Sequence, residues 1–115
     1  MKVFVDDDTE HRAPPDSSWT HVTTAGEAIE LLERGGTIAL SLDHDLGDDE
    51  PTGYEVVKHL EYRLRADDVD LWPTDEIVIH SANAVGVANM ERAIEVNTDL
   101  ERDWSAQKPT WRKRG

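Results

Sequence analysis

The sequence predicts an α/β fold of three layers, in which helices lie on both faces of a mostly parallel sheet. Short runs of branched apolar residues alternate along the chain with segments of helical periodicity, which is the pattern of successive β–α units. The apolar runs are nearly continuous, which is typical of strands that are buried on both faces. With 115 residues, the chain is long enough for one domain with one core.

Four apolar runs predict the strands of this sheet. Stretches rich in glycine, proline and aspartate separate the runs and mark the places where strands end. A fifth strand is not visible, so the expected sheet has four strands, or five if one is unrecognised. The segment between the first two runs contains two prolines and is expected to form a loop. The predicted strands span residues 2–5, 19–24, 37–42 and 75–83.

Three segments have apolar residues at helical spacing. Two of them begin with a capping box, Thr24 with Glu27 and Thr52 with Glu55, and the third is predicted over residues 87–104. The residues predicted to face the core are Ala28, Ile29 and Leu32 in the first helix, Tyr54, Val57, Leu60 and Leu64 in the second, and Met90, Ala93, Ile94 and Leu100 in the third.

The formal net charge of −13 comes from 25 acidic against 12 basic residues. This sign disfavours binding to duplex nucleic acid, because phosphate contacts need a basic stripe. The chain has no cysteine and no apolar run near the ~20 residues of a membrane-spanning helix. Disulfides and membrane association are therefore not expected, and the expected location is a reducing cytoplasm. We interpret the basic residues 105–115 as a tail that follows a domain of residues 1–104.

Acidic residues directly follow two of the predicted strands, with Asp6 and Asp7 after the first and Asp43 after the third. In a parallel sheet all carboxyl ends lie on one edge, and ligands bind where the strand order reverses. A strand order of 2-1-3-4 would make these carboxylates neighbours. They would repel each other unless a cation neutralised them, and Mg²⁺ prefers oxygen ligands. The sequence therefore predicts a site for Mg²⁺ or another divalent cation, with Asp7 and Asp43 as ligands and Asp6 as ligand or support.

Asp45 and two histidines are further candidates, each with a second interpretation. Asp45 would bind the metal, orient His44 or the metal's water, or cap the next turn. Histidine titrates near neutrality, which suits His44 for a general acid or base, but strand alternation would point it away from Asp43. His80, at the end of the fourth strand, is either a second acid or base or a hydrogen-bonded core residue.

Three residues are candidate phosphate contacts. Ser81 and Asn83 precede the third predicted helix, and the free backbone amides at a helix start bind anions. Arg12, in the loop after the first strand, would place its planar guanidinium on a phosphate, or it is a solvated loop cation.

Four stretches of the sequence resemble the cyclic-phosphate processing receiver domain, a divergent branch of the receiver domains of two-component signalling. The combination of "SLDHDLG" with "HSAN" and a later "NM" is the most specific part. The resemblance covers about residues 1–97 and implies a flavodoxin-like, receiver-like fold. The stretches are "VFVDDDTEHRAPPDSSW", "EAIELL", "SLDHDLGDDEPTGYEVVKHL" and "IVIHSANAVGVANM".

The resemblance implies a domain that binds or processes cyclic phosphate compounds, such as cyclic nucleotides, in signalling or conflict systems. In this comparison Asp43 takes the place of the phosphoacceptor of a receiver, and Ser81 that of its hydroxyl residue. The stretch between Asp8 and Trp19 is too short and proline-rich for the first receiver helix. No apolar strand precedes Lys108, where a receiver has its fifth strand and lysine. The fold is therefore expected to be truncated or divergent, without aspartyl-phosphate signalling.

Three functions remain open at this point. The first is a metal-dependent phosphodiesterase that hydrolyses a cyclic phosphate. The second is a nucleotide sensor or sponge without turnover, and the third is an atypical response-regulator receiver that acts through a partner protein. The hydrolase hypothesis assigns catalysis to Asp43, His44 and His80, phosphate binding to Ser81, Asn83 and Arg12, and metal binding to Asp6, Asp7, Asp43 and Asp45.

Overall fold

The computed structural model describes residues 1–107 of the chain, with side chains up to residue 102. No helix in this part of the chain is long and apolar enough to cross a membrane. The predicted basic tail falls largely on residues 108–115, which lie outside the described residues. The elements are β1 (Lys2–Val5), β2 (Trp19–Val22), α1 (Ala25–Glu33), β3 (Ala39–Leu42), α2 (Gly53–Ala66), β4 (Glu76–Ile79) and α3 (Ala84–Gln107).

The four strands form one parallel sheet in the order β2-β1-β3-β4. This confirms the predicted α/β class, the four strands and the reversal of strand order between β1 and β3. The register aligns Phe4 with His21 on one side and with Ser41 on the other. Because side chains alternate between the two faces of a strand, these three side chains lie in one row on the same face.

The helices of the described residues all lie on the opposite face of the sheet, which carries Val3 and Val5 of β1. The second helix layer that was expected on the other face is not present in this part of the chain. The β2–β3 and β3–β4 connections run in the same direction across the sheet, and right-handed crossovers then place α1 and α2 on one face. Their apolar sides and Met90 of α3 form a single core with that face. The β1–β2 connection runs the other way, and there the described chain is a loop instead of a helix. The fold is a receiver-like one, truncated at this point.

The start of α1 has the predicted cap. The Thr24 Oγ1 atom accepts a hydrogen bond from the Glu27 amide at 3.1 Å. The Glu27 carboxylate accepts bonds from the hydroxyl and amide of Thr23, at 3.0 and 3.2 Å, and from the Thr24 hydroxyl. The hydrogen bond from the Thr23 hydroxyl is the largest of the effects that lower the pKa of Glu27. The cap therefore also fixes the residue that leads from β2 into the helix.

The second predicted capping box is wrong. Thr52 occupies the cap position of α2, but its side chain makes no capping hydrogen bond. Glu55 instead pairs with Lys58 one turn later, at 3.2 Å. The first turn is held by backbone contacts, since the Gly53 amide donates to the His44 carbonyl at 2.8 Å. The His44 carbonyl, just after β3, thus accepts a hydrogen bond from a free amide at the start of α2, and the expected side-chain cap is absent.

Helix α3 starts three residues earlier and ends three residues later than predicted. The early start follows from Asn83, whose Oδ1 accepts a hydrogen bond from the Gly86 amide at 2.9 Å. The fully buried Asn97 is a polar residue that the apolar pattern missed. It donates to Glu61 on α2 at 3.0 Å and accepts from Arg65 at 3.2 Å. These bonds hold the two helices side by side.

The predicted core faces are largely confirmed. Val56 in α2 is a further buried residue that the predicted stripe left out. The predicted positions divide into buried residues (Ala28, Leu32, Val57, Leu60, Leu64 and Met90) and half-buried ones (Ile29, Tyr54, Ala93, Ile94 and Leu100).

Candidate functional site

Two aspartates extend the central strands β1 and β3 by one residue each. The Asp6 amide donates to the Val22 carbonyl at 3.1 Å, and the Asp43 amide donates to the Val5 carbonyl at 3.0 Å. Because the ladder continues, alternation places both carboxylates on the face that carries Phe4, away from the helices. Asp6 is fully buried and Asp43 is 6% exposed.

Asp7 completes a group of three carboxylates at the carboxyl edge of the sheet. One oxygen each from Asp6, Asp7 and Asp43 lies within 4.8 Å of the others. Asp7 is exposed, so the group opens to solvent on its side. The expected convergence of these three residues is therefore present in the structure.

Arg12 places a positive charge inside this group. Its Nη1 atom lies 3.3 Å from Asp6 Oδ2 and 3.3 Å from Asp43 Oδ2, and 3.5 Å from the carbonyl oxygen of His80. The hydrogen bond to Asp6 is the largest of the effects that raise the pKa of Arg12. The guanidinium side chain is 41% exposed, so it reaches the buried carboxylates from the solvent side.

The acidic group forms the floor of an open pocket of about 570 Å³. Loop residues from three strand ends build its wall. The pocket is lined by Asp6, Asp7, Asp8, Arg12, Asp43, Asp45, Gly47, Asp48, Ser81 and Ala82.

The protein environment disfavours the charged form of Asp43. Burial is the largest effect and raises the pKa of Asp43, and the nearby charge of Asp6 raises it further. A hydrogen bond from the Ser81 hydroxyl and the charge of Arg12 act in the opposite direction but do not cancel the rise. A second cation beside Asp43 would relieve this unfavourable charge.

Asp6 is held from three directions. Its Oδ1 accepts from the Asp8 amide at 2.9 Å, and its Oδ2 lies 3.0 Å from His80 Nε2. His21 Nε2 lies 2.9 Å from the carbonyl oxygen of Asp6. These contacts fix both the backbone and the carboxylate of Asp6.

His80 contacts Asp6 but does not line the pocket, and both of its ring nitrogens are occupied. Nε2 faces Asp6, and Nδ1 is 2.7 Å from Ser41 Oγ. The imidazole stacks on Phe4 with a centroid distance of 4.4 Å and an angle of 4° between the rings. Ser41 and His21 are parts of the site that were not among the predicted residues. Strand alternation could have indicated them, since they share the face that carries Asp6 and Asp43.

A sequence model of the cyclic-phosphate processing receiver domain matches residues 1–96. The chain belongs to this family. The match extends from β1 into α3 and includes every residue of the pocket described above. No curated protein and no solved structure matches the chain. The family description ties this receiver-like domain to cyclic phosphates without stating which compound is bound.

In this cyclic-phosphate processing receiver domain, His44 lies outside the pocket wall. Its Nδ1 is 2.9 Å from Asp45 Oδ1, and its ring packs on the backbone of Gly86 in α3. This is the side of the sheet opposite to Asp43, as strand alternation suggested. Asp45 lines the pocket but is not part of the group of three carboxylates. The hydrogen bond from His44 is the largest of the effects that lower the pKa of Asp45.

Ser81 and Asn83 both lie in the loop that enters α3 of this receiver domain, but only Ser81 lines the pocket. The Ser81 hydroxyl also accepts a hydrogen bond from the Asn83 amide at 3.2 Å. Asn83 lies outside the pocket wall, where it caps α3 and donates to the carboxylate oxygens of Asp45 at 3.3 and 3.4 Å. Of the predicted phosphate contacts, Ser81 and Arg12 therefore face the acidic group.

Proposed function

We propose that this domain binds a cyclic phosphate ester in the acidic pocket, together with a divalent cation held by Asp6, Asp7 and Asp43. The observation that carries the proposal is the group of three carboxylates within 4.8 Å, at the floor of a pocket of about 570 Å³. The pocket is large enough for a small organic phosphate, and the family description names cyclic phosphates. A divalent cation would offset part of the negative charge of the carboxylates and of the ligand.

The donor set fits Mg²⁺. Oxygen ligands lie about 2.1 Å from this ion, so they are about 3.0–4.2 Å from each other. The observed spread of 4.8 Å needs a side-chain adjustment of about half an ångström to reach that range. Arg12 now bridges Asp6 and Asp43. Arg12 has to move aside when a cation enters, and its exposed side chain can do so.

The residues of the pocket then have separate tasks. When bound, a divalent cation polarises a phosphoryl oxygen and lowers the pKa of a bound water. Asp6, Asp7 and Asp43 hold the cation. Arg12, once released from the carboxylates, binds a phosphate oxygen with its planar donors, and the Ser81 hydroxyl, once the cation replaces its hydrogen bond to Asp43, donates to another.

Hydrolysis of the ring would need a proton donor in addition. Water forms a new bond to phosphorus, one P–O ester bond breaks, and the leaving oxygen takes a proton. His80 uses both nitrogens for Asp6 and Ser41, and His44 lies outside the pocket wall. This observation favours a second candidate function, in which the domain binds the nucleotide as a sensor or sponge and does not turn it over.

The test is a panel of cyclic nucleotides with Mg²⁺. Binding is measured by isothermal titration calorimetry and product formation by chromatography. We expect binding that disappears in Asp43→Asn and persists in Glu30→Gln, which removes an exposed charge from α1. Product formation supports the hydrolase, and binding without product supports the sensor. The absence of any binding to the wild-type protein would refute both.

A further inference from the structure

The hydrogen-bond pattern around His80 determines where its proton lies. An ionised carboxylate only accepts hydrogen bonds, so His80 Nε2, at 3.0 Å from Asp6 Oδ2, is the donor. In the neutral ring Nδ1 is then an acceptor, and the Ser41 hydroxyl, at 2.7 Å, donates to it. The chain of bonds therefore runs in one direction, from Ser41 through His80 to Asp6.

We infer that Ser41 and His80 are positioning residues that orient the Asp6 carboxylate toward the cation. The inference rests on the proposed function, since it concerns the same site. It assigns no acid or base chemistry to His80, because both of its nitrogens take part in the chain of hydrogen bonds from Ser41 through His80 to Asp6. We call this chain the relay. It also gives Ser41, which does not line the pocket, a role in the site.

The relay is built rigidly into the sheet. Ser41 is 6% exposed and pairs with Phe4 across the β1–β3 ladder. Phe4 stacks on the imidazole and sets the plane of the ring. A rotation of the ring by 180° about its Cβ–Cγ bond would keep the plane of the ring. It would also exchange each nitrogen for a carbon and break both hydrogen bonds. The Ser41 hydroxyl and the Asp6 carboxylate therefore together select the ring orientation that presents N–H to Asp6.

The orientation of Asp6 matters because its other contacts leave little freedom. Oδ1 is occupied by the Asp8 amide at 2.9 Å, and Oδ2 also faces Arg12 at 3.3 Å. The His80 bond fixes the rotation of the carboxylate about its last side-chain bond. Outer partners of this kind change metal affinity by about 10- to 100-fold when they are removed. Ser41 acts one step further out, so we expect about a tenfold effect.

Two variants of nearly equal shape test the relay. Ser41→Thr keeps a hydroxyl in the strand, and Ser41→Val adds the same volume without one. The first readout is the ¹⁵N NMR spectrum of the His80 imidazole in metal-free protein, near pH 8, where an ordinary imidazole is neutral. We expect an Nε2–H tautomer whose Nδ1 accepts a hydrogen bond in the wild type and in Ser41→Thr, and an Nδ1 resonance shifted to that of a nitrogen without this hydrogen bond in Ser41→Val.

The second readout is the affinity for Mn²⁺ alone, measured by calorimetry. We expect the dissociation constant to rise about tenfold in Ser41→Val and less than threefold in Ser41→Thr. If the wild type binds no Mn²⁺, the proposed function fails, and the tautomer measurement alone decides on the relay. Identical His80 spectra in the two variants overturn the inference, and so does equal Mn²⁺ affinity where the wild type binds the ion.

Discussion

The first residue of α2, Gly53, lies directly against the main chain of Asp43. A Cβ atom at position 53 would stand 2.0 Å from the Asp43 carbonyl oxygen and 3.0 Å from its carbonyl carbon. Both atoms belong to the backbone and cannot move aside as a flexible side chain would. The helix start is thus placed on the strand end that carries the central carboxylate of the pocket. The close packing of α2 on β3 therefore also determines the position of the Asp43 backbone.

Gly53→Ala is therefore expected to lower the free energy of unfolding by about 2–3 kcal/mol, because the clash forces a backbone shift. Urea denaturation measures the loss. Gly26→Ala is the matched control, since the nearest atom to a Cβ at this helical glycine is 4.0 Å away. That change should be neutral or stabilise by up to about 1 kcal/mol, because alanine favours the helix. Equal stability of the two variants would contradict the contact.

Much of the fold could be predicted because periodicity and strand order follow local rules. Apolar runs and helical spacing identified the seven elements of residues 1–107, and the parallel arrangement then brought Asp6 and Asp43 to one edge. The capping box at Thr52 failed for a tertiary reason. There the amide of Gly53 finds the His44 carbonyl at 2.8 Å, so no side-chain cap is needed.

Only those residues of the candidate site that lie at the ends of strands could be predicted from the sequence. Strand alternation places Asp6 and Asp43 on one face, and for His44 it predicts the other side on the condition that the strand continues to that residue. The position of Arg12 depends on the path of a proline-containing loop. The sequence of this loop has no helical or strand periodicity from which its path could be predicted. The Ser41–His80 bond joins residues that are 39 positions apart in the sequence. Such contacts depend on tertiary packing, which no local pattern reports.

Arg12→Ala is expected to tighten the binding of a divalent cation and to weaken the binding of a phosphate ligand. The guanidinium occupies the position between Asp6 and Asp43 that a cation would take. We expect Mn²⁺ affinity to rise on the order of 3- to 10-fold, because a positive charge that competes with the ion is removed. Calorimetry with Mn²⁺ alone, and then with a cyclic nucleotide, separates the two effects.

Arg34→Ala is the control for this change, because Arg34 is exposed and lies at the far end of α1. It removes the same charge without touching the pocket. A similar gain in Mn²⁺ affinity in both variants would mean that the net charge of the chain, and not the position of Arg12, determines the effect.

Gly86→Ala tests whether His44 serves the pocket. A Cβ at position 86 would lie 2.5 Å from His44 Cγ, so the ring must move and lose its bond to Asp45. We expect a loss of about 1 kcal/mol in the free energy of unfolding, the size of one hydrogen bond. Ligand binding should change less than twofold, because His44 lies outside the pocket wall.

The double-mutant cycle with His44→Ala makes this result specific. Once the imidazole is gone, the three closest contacts of a Cβ at Gly86 are removed, and the same glycine change should cost less than in the wild type. Denaturation curves of the four proteins give the coupling. A large loss of ligand binding in His44→Ala would instead give His44 a direct role in the site.

Asp43→Asn is expected to stabilise the metal-free protein at neutral pH. Burial raises the pKa of Asp43 in the folded state, so the folded protein holds this proton more tightly than the unfolded chain does. Below about pH 3.9, the ordinary value of an aspartate, the group is protonated in both states and costs nothing. As the pH rises through the raised folded pKa, ionisation in the folded state costs stability.

The variant lacks this cost, so its melting temperature should exceed that of the wild type by a few degrees at pH 7, and the difference should shrink toward zero as the pH falls toward 4. Thermal melts with a chelator present measure it. Because the chain carries a net charge of −13, removal of any acid relieves repulsion, and Glu30→Gln measures that general part. Added Mg²⁺ should then stabilise the wild type and Glu30→Gln but not Asp43→Asn. An Asp43→Asn protein that melts below Glu30→Gln at neutral pH would show that the ionised carboxylate stabilises the fold, contrary to its burial.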